Sequence, residues 1–86
     1  MTTPRVVAEF MVEELNRARY LYQETIVGQI DLTFGAGFTG TNAAGNSSIN
    51  SNVLAAFNEL TPDVVWERGT RMWRFRESYD KPGRQQ

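Results

Sequence analysis

Eighty-six residues, 41% hydrophobic and 12% aromatic with a net charge of −1, suffice for one small domain around a single core. The chain has no cysteine and no histidine, which removes disulfides, thiolate metal sites, Ser–His and Cys–His nucleophiles and the ordinary zinc site. No apolar run approaches the roughly 20 residues that cross a bilayer, and the opening MTTPRVVAEF lacks the features of a secretory leader, so a cytoplasmic protein is expected.

Thr3 and Pro4 open the first helix: the threonine hydroxyl can accept from a free backbone N–H, and proline is tolerated in the first turn. Val7, Phe10, Met11, Leu15 and Ala18 then recur at helical spacing as one apolar stripe, with Glu9 and Glu13 opposite. Glu14 falls inside the stripe, where a lone carboxylate is costly, so it must sit at the edge or meet an arginine or a backbone donor. Tyr20-Leu21-Tyr22 reads as a brief strand. A second helix over 24–34 carries Ile26, Val27, Ile30 and Phe34 on one face, and Gly35 is placed to end it. Asp31 and Leu32 point away from that face.

Residues 35–48 are rich in Gly, Thr, Asn, Ser and Ala and read as a long loop, with a short strand around Phe38. GAGFTG within it fits G-x-G-x-x-G. A dinucleotide loop, however, needs a strand before it, a helix directly after it and an acid at the right place, and none of these is present. Ser47 or Ser48 caps a third helix that runs to Leu60, with Ile49, Val53, Ala56, Phe57 and Leu60 inward; Thr61-Pro62-Asp63 ends it. In VVWERGTRMWRFRE, residues 64–77, Gly69-Thr70 as a two-residue type II′ turn sets Trp66 opposite Trp73 and Val64 opposite Phe75. Those four side chains form one apolar face. Val65, Glu67, Met72, Arg74 and Arg76 form the other. The domain is expected to span 1–78, with 79–86 a flexible polar tail.

Three helices, a short strand and a C-terminal hairpin make an α+β chain in the order of a winged helix-turn-helix domain: three short amphipathic helices leave one side of their core open, and an apolar-faced hairpin covers it. The sequence also resembles a small uncharacterised bacterial family of winged-helix-like proteins found among phage and mobile gene-cassette (integron) products. That resemblance is carried by FMVEEL at 10–15, LYQE at 21–24, FG at 34–35, VLAAFNELTPDVVWERGTRMWRFRE at 53–77 and DKPGR at 80–84. It implies a compact winged-helix fold and no assigned activity.

Function is expected to lie in binding. Paired acids such as Glu13 and Glu14 point about 100° apart on a helix and cannot flank one bond, so no catalytic residue is assigned, and no metal, cofactor or small-molecule substrate is expected. Charge is uneven, −4 over residues 1–63 and +3 over 64–86. DNA contact would fall to Arg68, Arg71, Arg74 and Arg76 on the hairpin, with Asn50, Asn52 or Asn58 able to read adenine. The outward face of the third helix, Ser51, Ala55, Asn58 and Glu59 with Leu54 at its margin, has no cation. A neutral face with Leu54, and Met72 beyond it, suits a protein partner or a second copy better than a polyanion. A protein-interaction or self-associating module is therefore placed first, and a weak DNA-binding transcriptional regulator second. The candidate contact residues are Arg68, Arg71, Arg74, Arg76, Asn58 and Leu54.

Overall fold

The computed structural model describes residues 2–86. Helix α1, Pro4–Ala18, starts where Thr3 Oγ1 accepts from the Val6 N–H at 3.3 Å, and it buries Val7, Ala8, Met11 and Leu15. Ala18, expected in the stripe, is exposed at the helix's last residue. Arg19 adopts a left-handed conformation that returns its N–H to the Leu15 carbonyl at 2.7 Å and turns the chain into β1, Tyr20–Tyr22. Helix α2, Gln23–Phe34, follows at once with Ile26, Val27 and Ile30 buried, while Leu32 is 90% exposed as its position off the stripe predicts.

Gly35 ends α2 at φ 86° and ψ 174°, a backbone region essentially confined to glycine. The first glycine of GAGFTG thus meets a chain-reversal requirement. The remainder of 35–48, expected as a long loop with a short strand around Phe38, is organised further: a 3₁₀ turn at Ala36–Phe38 leads to a small antiparallel hairpin of β2, Thr39–Thr41, directly after Phe38, and β3, Ser47–Ile49. The Asn42 side chain holds its connection, with Oδ1 accepting from the Ala44 and Asn46 N–H groups at 3.0 Å. Ser47 and Ser48 are therefore strand residues, and α3 runs Ser51–Leu60 with Asn50 at its N-cap position. The Asn50 side chain donates to the Gly37 carbonyl at 3.0 Å, tying the helix start to the 3₁₀ turn. Ile49 is buried from β3 rather than from a helix turn.

The C-terminal hairpin consists of β4, Val64–Glu67, and β5, Met72–Phe75, in the expected register: Trp66 lies opposite Trp73 and Val64 opposite Phe75. β1 adds to the other edge of β5, giving the order β1-β5-β4 with all neighbours antiparallel. Trp73 closes the core from above, its ring centroid 5.3 Å from Phe57 on α3 and 4.6 Å from Trp66. At the far end, Phe34 packs edge-on between Phe10 and Phe38. The described residues form an α+β structure of three α-helices and two small antiparallel sheets.

Three expectations for this hairpin are corrected. Its connection is not a two-residue II′ turn: Arg68 to Arg71 form a four-residue loop, and the positive φ falls on Arg71, at 54°. The cause is distant, because the Arg71 carbonyl accepts from the Gln23 N–H at 3.1 Å, an unpaired donor at the start of α2, and its guanidinium donates to the Ser47 carbonyl at 3.1 Å. Those anchors draw Arg71 out of the ladder. Val65, expected on a solvated face, is fully buried. Finally, the tail expected to be flexible is docked: Asp80 folds back onto Arg74, the cross-strand neighbour of Val65, and Gln85 lies beside Trp66 in a parallel bridge. An open strand edge and a half-buried cation both call for partners, and residues 77–86 supply them.

Candidate functional site

A cleft of about 280 Å³ opens between α3 and the hairpin, lined by Leu54, Asn58, Trp66, Trp73, Gln23, Arg84 and Gln85. Leu54 and Asn58 sit four residues apart, hence on one face of α3. Leu54, expected at the margin of the outward face, is half-buried and packs partly on the core; Asn58 is exposed. The indoles of the facing strands make the opposite wall. Gln23 closes one end, its amide fixed by donating to the Ser47 carbonyl at 2.6 Å. Arg84 closes the other end, donating to the Thr61 carbonyl at 2.7 Å and the Asn58 carbonyl at 3.1 Å. These are acceptors at the end of α3, where intrahelical donors run out and a cation is favoured. Burial and the nearby Arg76 charge hold the Arg84 pKa below its ordinary value. The cleft is apolar with an amide, a guanidinium and backbone at its rim, a surface able to bury an aliphatic or aromatic side chain and to hydrogen-bond the chain that carries it.

The hairpin arginines do not form one cationic surface. Arg74 is held between two carboxylates: it pairs with Glu67 through Nε and with Asp80 through two bonds of 2.8 Å. These bonds raise the Arg74 pKa. Arg76 donates to the Lys81 carbonyl at 2.9 Å and to that of Gly83. Arg71 reaches the Ser47 carbonyl and approaches Glu24 at 4.0 Å. Arg68 is exposed at the loop. On α3, Ser51, Ala55, Asn58 and Glu59 are exposed as expected. Glu14, anomalous in the sequence, lies against Arg17 one turn along, in hydrogen bonds as short as 2.7 Å.

Sequence reasoning missed Gln23 and Arg84 and assigned both tryptophans to the core alone. Arg84 had one signal, its place in DKPGR. Gln23 had none beyond its position at the start of a helix. Among the described residues, no group of three or more His, Cys, Asp or Glu gathers as a metal site, and no described helix is long and apolar enough to cross a membrane.

The Asp80 side chain is only 2% exposed, and the Arg74 guanidinium followed by the Glu77 N–H lower its pKa from 3.8 to about 2. A depressed carboxylate stabilises the fold fully well above 3.8, and that contribution is lost as pH falls toward 2. Asp80→Asn should therefore be less stable than the parent chain at neutral pH, with the two converging as the pH approaches 2. Urea titrations at several pH values, read by tryptophan fluorescence, check this; a constant gap would mean that the carboxylate charge contributes nothing.

A family model matches residues 3–75, and its description is a family of unknown function, DUF6953. The chain belongs to that family. The match starts at the capping Thr3 and stops at Phe75, the last residue of β5. Leu54, Asn58, Trp66, Trp73 and Gln23 of the cleft thus lie inside the DUF6953 region, and Arg84 and Gln85 lie beyond it. No curated protein and no solved structure matches the chain.

Proposed function

We propose that the chain is a non-catalytic, cytoplasmic winged-helix-type module that binds protein, a partner or a second copy, through the cleft between α3 and the hairpin. The winged-helix reading draws on the element order and on β1 pairing with the second strand of the hairpin. Kinship with winged-helix-like proteins of phage and mobile gene cassettes belongs to the same reading. One observation carries the preference for protein: the hydrogen-bonding groups of the cations that a polyanion would need are engaged within the chain. Arg74, Arg76 and Arg84 are spent on Glu67, Asp80 and backbone carbonyls, and the outer face of α3 has none. What α3 and the hairpin leave open is the half-buried Leu54, the half-buried indole of Trp66 and amides, over a floor made by the buried Trp73. Tryptophan and arginine around a small apolar pocket are the composition of protein interface centres.

Sedimentation velocity from micromolar to millimolar concentration tests the self-contact form. Reversible association is expected, and Leu54→Arg should abolish it while leaving the circular dichroism spectrum unchanged, because Leu54 is only partly buried and its open side faces the cleft. A strict monomer at the highest concentration would remove self-association. The second reading, a DNA-binding regulator, is favoured by the exposed Arg68 and the neighbouring Arg71 at the hairpin loop. Two cations would give only weak, steeply salt-dependent contact.

A further inference from the structure

The outer edge of β4 is covered by the chain itself. The Trp66 N–H donates to the Arg84 carbonyl at 2.7 Å, the Gln86 N–H to the Trp66 carbonyl at 2.8 Å and the Arg68 N–H to the Gln86 carbonyl at 3.4 Å. Residues 84–86 therefore act as a short parallel strand, while the Arg84 side chain reaches across to the last carbonyls of α3. A backbone ladder that holds any extended chain, joined to one side-chain anchor that selects its sequence, is the logic of strand-addition recognition. The seat is shallow. Three residues make it, none of them apolar, and Arg84 provides its only charged anchor. Gly83, at φ +96°, is the joint between the seated strand and the part of the tail fixed by Asp80.

We infer that the β4 edge and the C-terminal end of α3 form a strand-addition site for an extended, arginine-bearing protein segment, and that residues 84–86 occupy it in cis as a built-in competitor. The occupant is specified by what sits there now: an arginine whose forked donors satisfy the end of α3, followed by two residues whose backbone pairs parallel to Trp66. Because Arg84 and Gln85 also wall the cleft, an incoming segment that displaces them uncovers the indole of Trp66. This inference rests on the protein-binding reading but uses a strand edge, whereas Leu54 reports on the cleft.

The test uses a fluorescent peptide of the sequence DKPGRQQ and the full chain in parent and Arg84→Ala forms. The Arg84→Ala chain, whose own tail is unseated, should bind the peptide at least about tenfold more tightly than the parent, where the tethered tail competes at high effective concentration. A peptide with alanine in place of its arginine should bind at least about tenfold more weakly. In the parent chain, millimolar peptide should shift the Trp66 and Gln86 amide resonances together, one re-covered and the other released; this arm stands even if Arg84→Ala does not fold. Equal binding to both chains, indifference to the peptide's arginine, or a Gln86 resonance unmoved by millimolar peptide would overturn the inference. Sedimentation of the parent chain reads the cleft separately: a strict monomer that still binds the peptide removes the self-contact reading and leaves this one, whereas an associating chain indifferent to the peptide does the reverse.

Discussion

Phe57→Ala is expected to lower the free energy of unfolding by about 3–5 kcal/mol, the largest loss anticipated from any single truncation here. Phe57 is fully buried on the face of α3 that meets the core, with its ring edge-on to Trp73. The cost has two parts: lost transfer of the ring from water, and a cavity that neither α3 nor the hairpin can close without giving up other contacts. Domains of this size have a total stability of about 5–15 kcal/mol, so the variant should be close to its folding threshold. Urea unfolding followed by tryptophan emission should show a lower midpoint with an unchanged slope. A loss under about 1 kcal/mol would mean that the hairpin does not close over α3 as described.

Val65→Lys should cost about 3–5 kcal/mol, the penalty of an uncompensated buried charge. On the alternation of residues 64–67 alone, this position faces water and the change would fall within about 0.5 kcal/mol. Val65 is fully buried yet lies outside the main core cluster, and its cross-strand neighbour is Arg74, already a cation. The new ammonium would meet a like charge and compete for Glu67 and Asp80. Calorimetric melting of the two chains separates the readings, since a near-neutral result would place Val65 in solvent.

The parts of the fold legible in the sequence are those set by short-range periodicity. Val7, Met11 and Leu15 on α1, Ile26, Val27 and Ile30 on α2, and Val53 and Phe57 on α3 recur at helical spacing, and all are buried. The alternation that sets Trp66 opposite Trp73 fixed the hairpin register even though its turn was misread. What escaped depends on distant partners. Arg71 leaves the ladder because of Gln23 and Ser47, and Arg84 finds carbonyls 23 and 26 residues earlier in the chain. Composition made 35–48 and 79–86 look loose because glycine, asparagine and serine satisfy backbone groups in turns as readily as in disorder, and nothing local tells the two apart. The site was half legible. Leu54 and Asn58 were named from their helix face, but the cleft exists only once the indoles and Arg84 are brought beside them.

Fluorescence anisotropy of a labelled nonspecific DNA duplex, titrated with the full chain at 50 mM salt, tests the central claim most directly. With the donors of Arg74, Arg76 and Arg84 engaged by carboxylates and carbonyls of the same chain, no saturable rise is expected at any protein concentration up to the millimolar range. A saturable, salt-sensitive rise that Arg68→Glu with Arg71→Glu abolishes would contradict the account and make the hairpin loop a nucleic-acid contact.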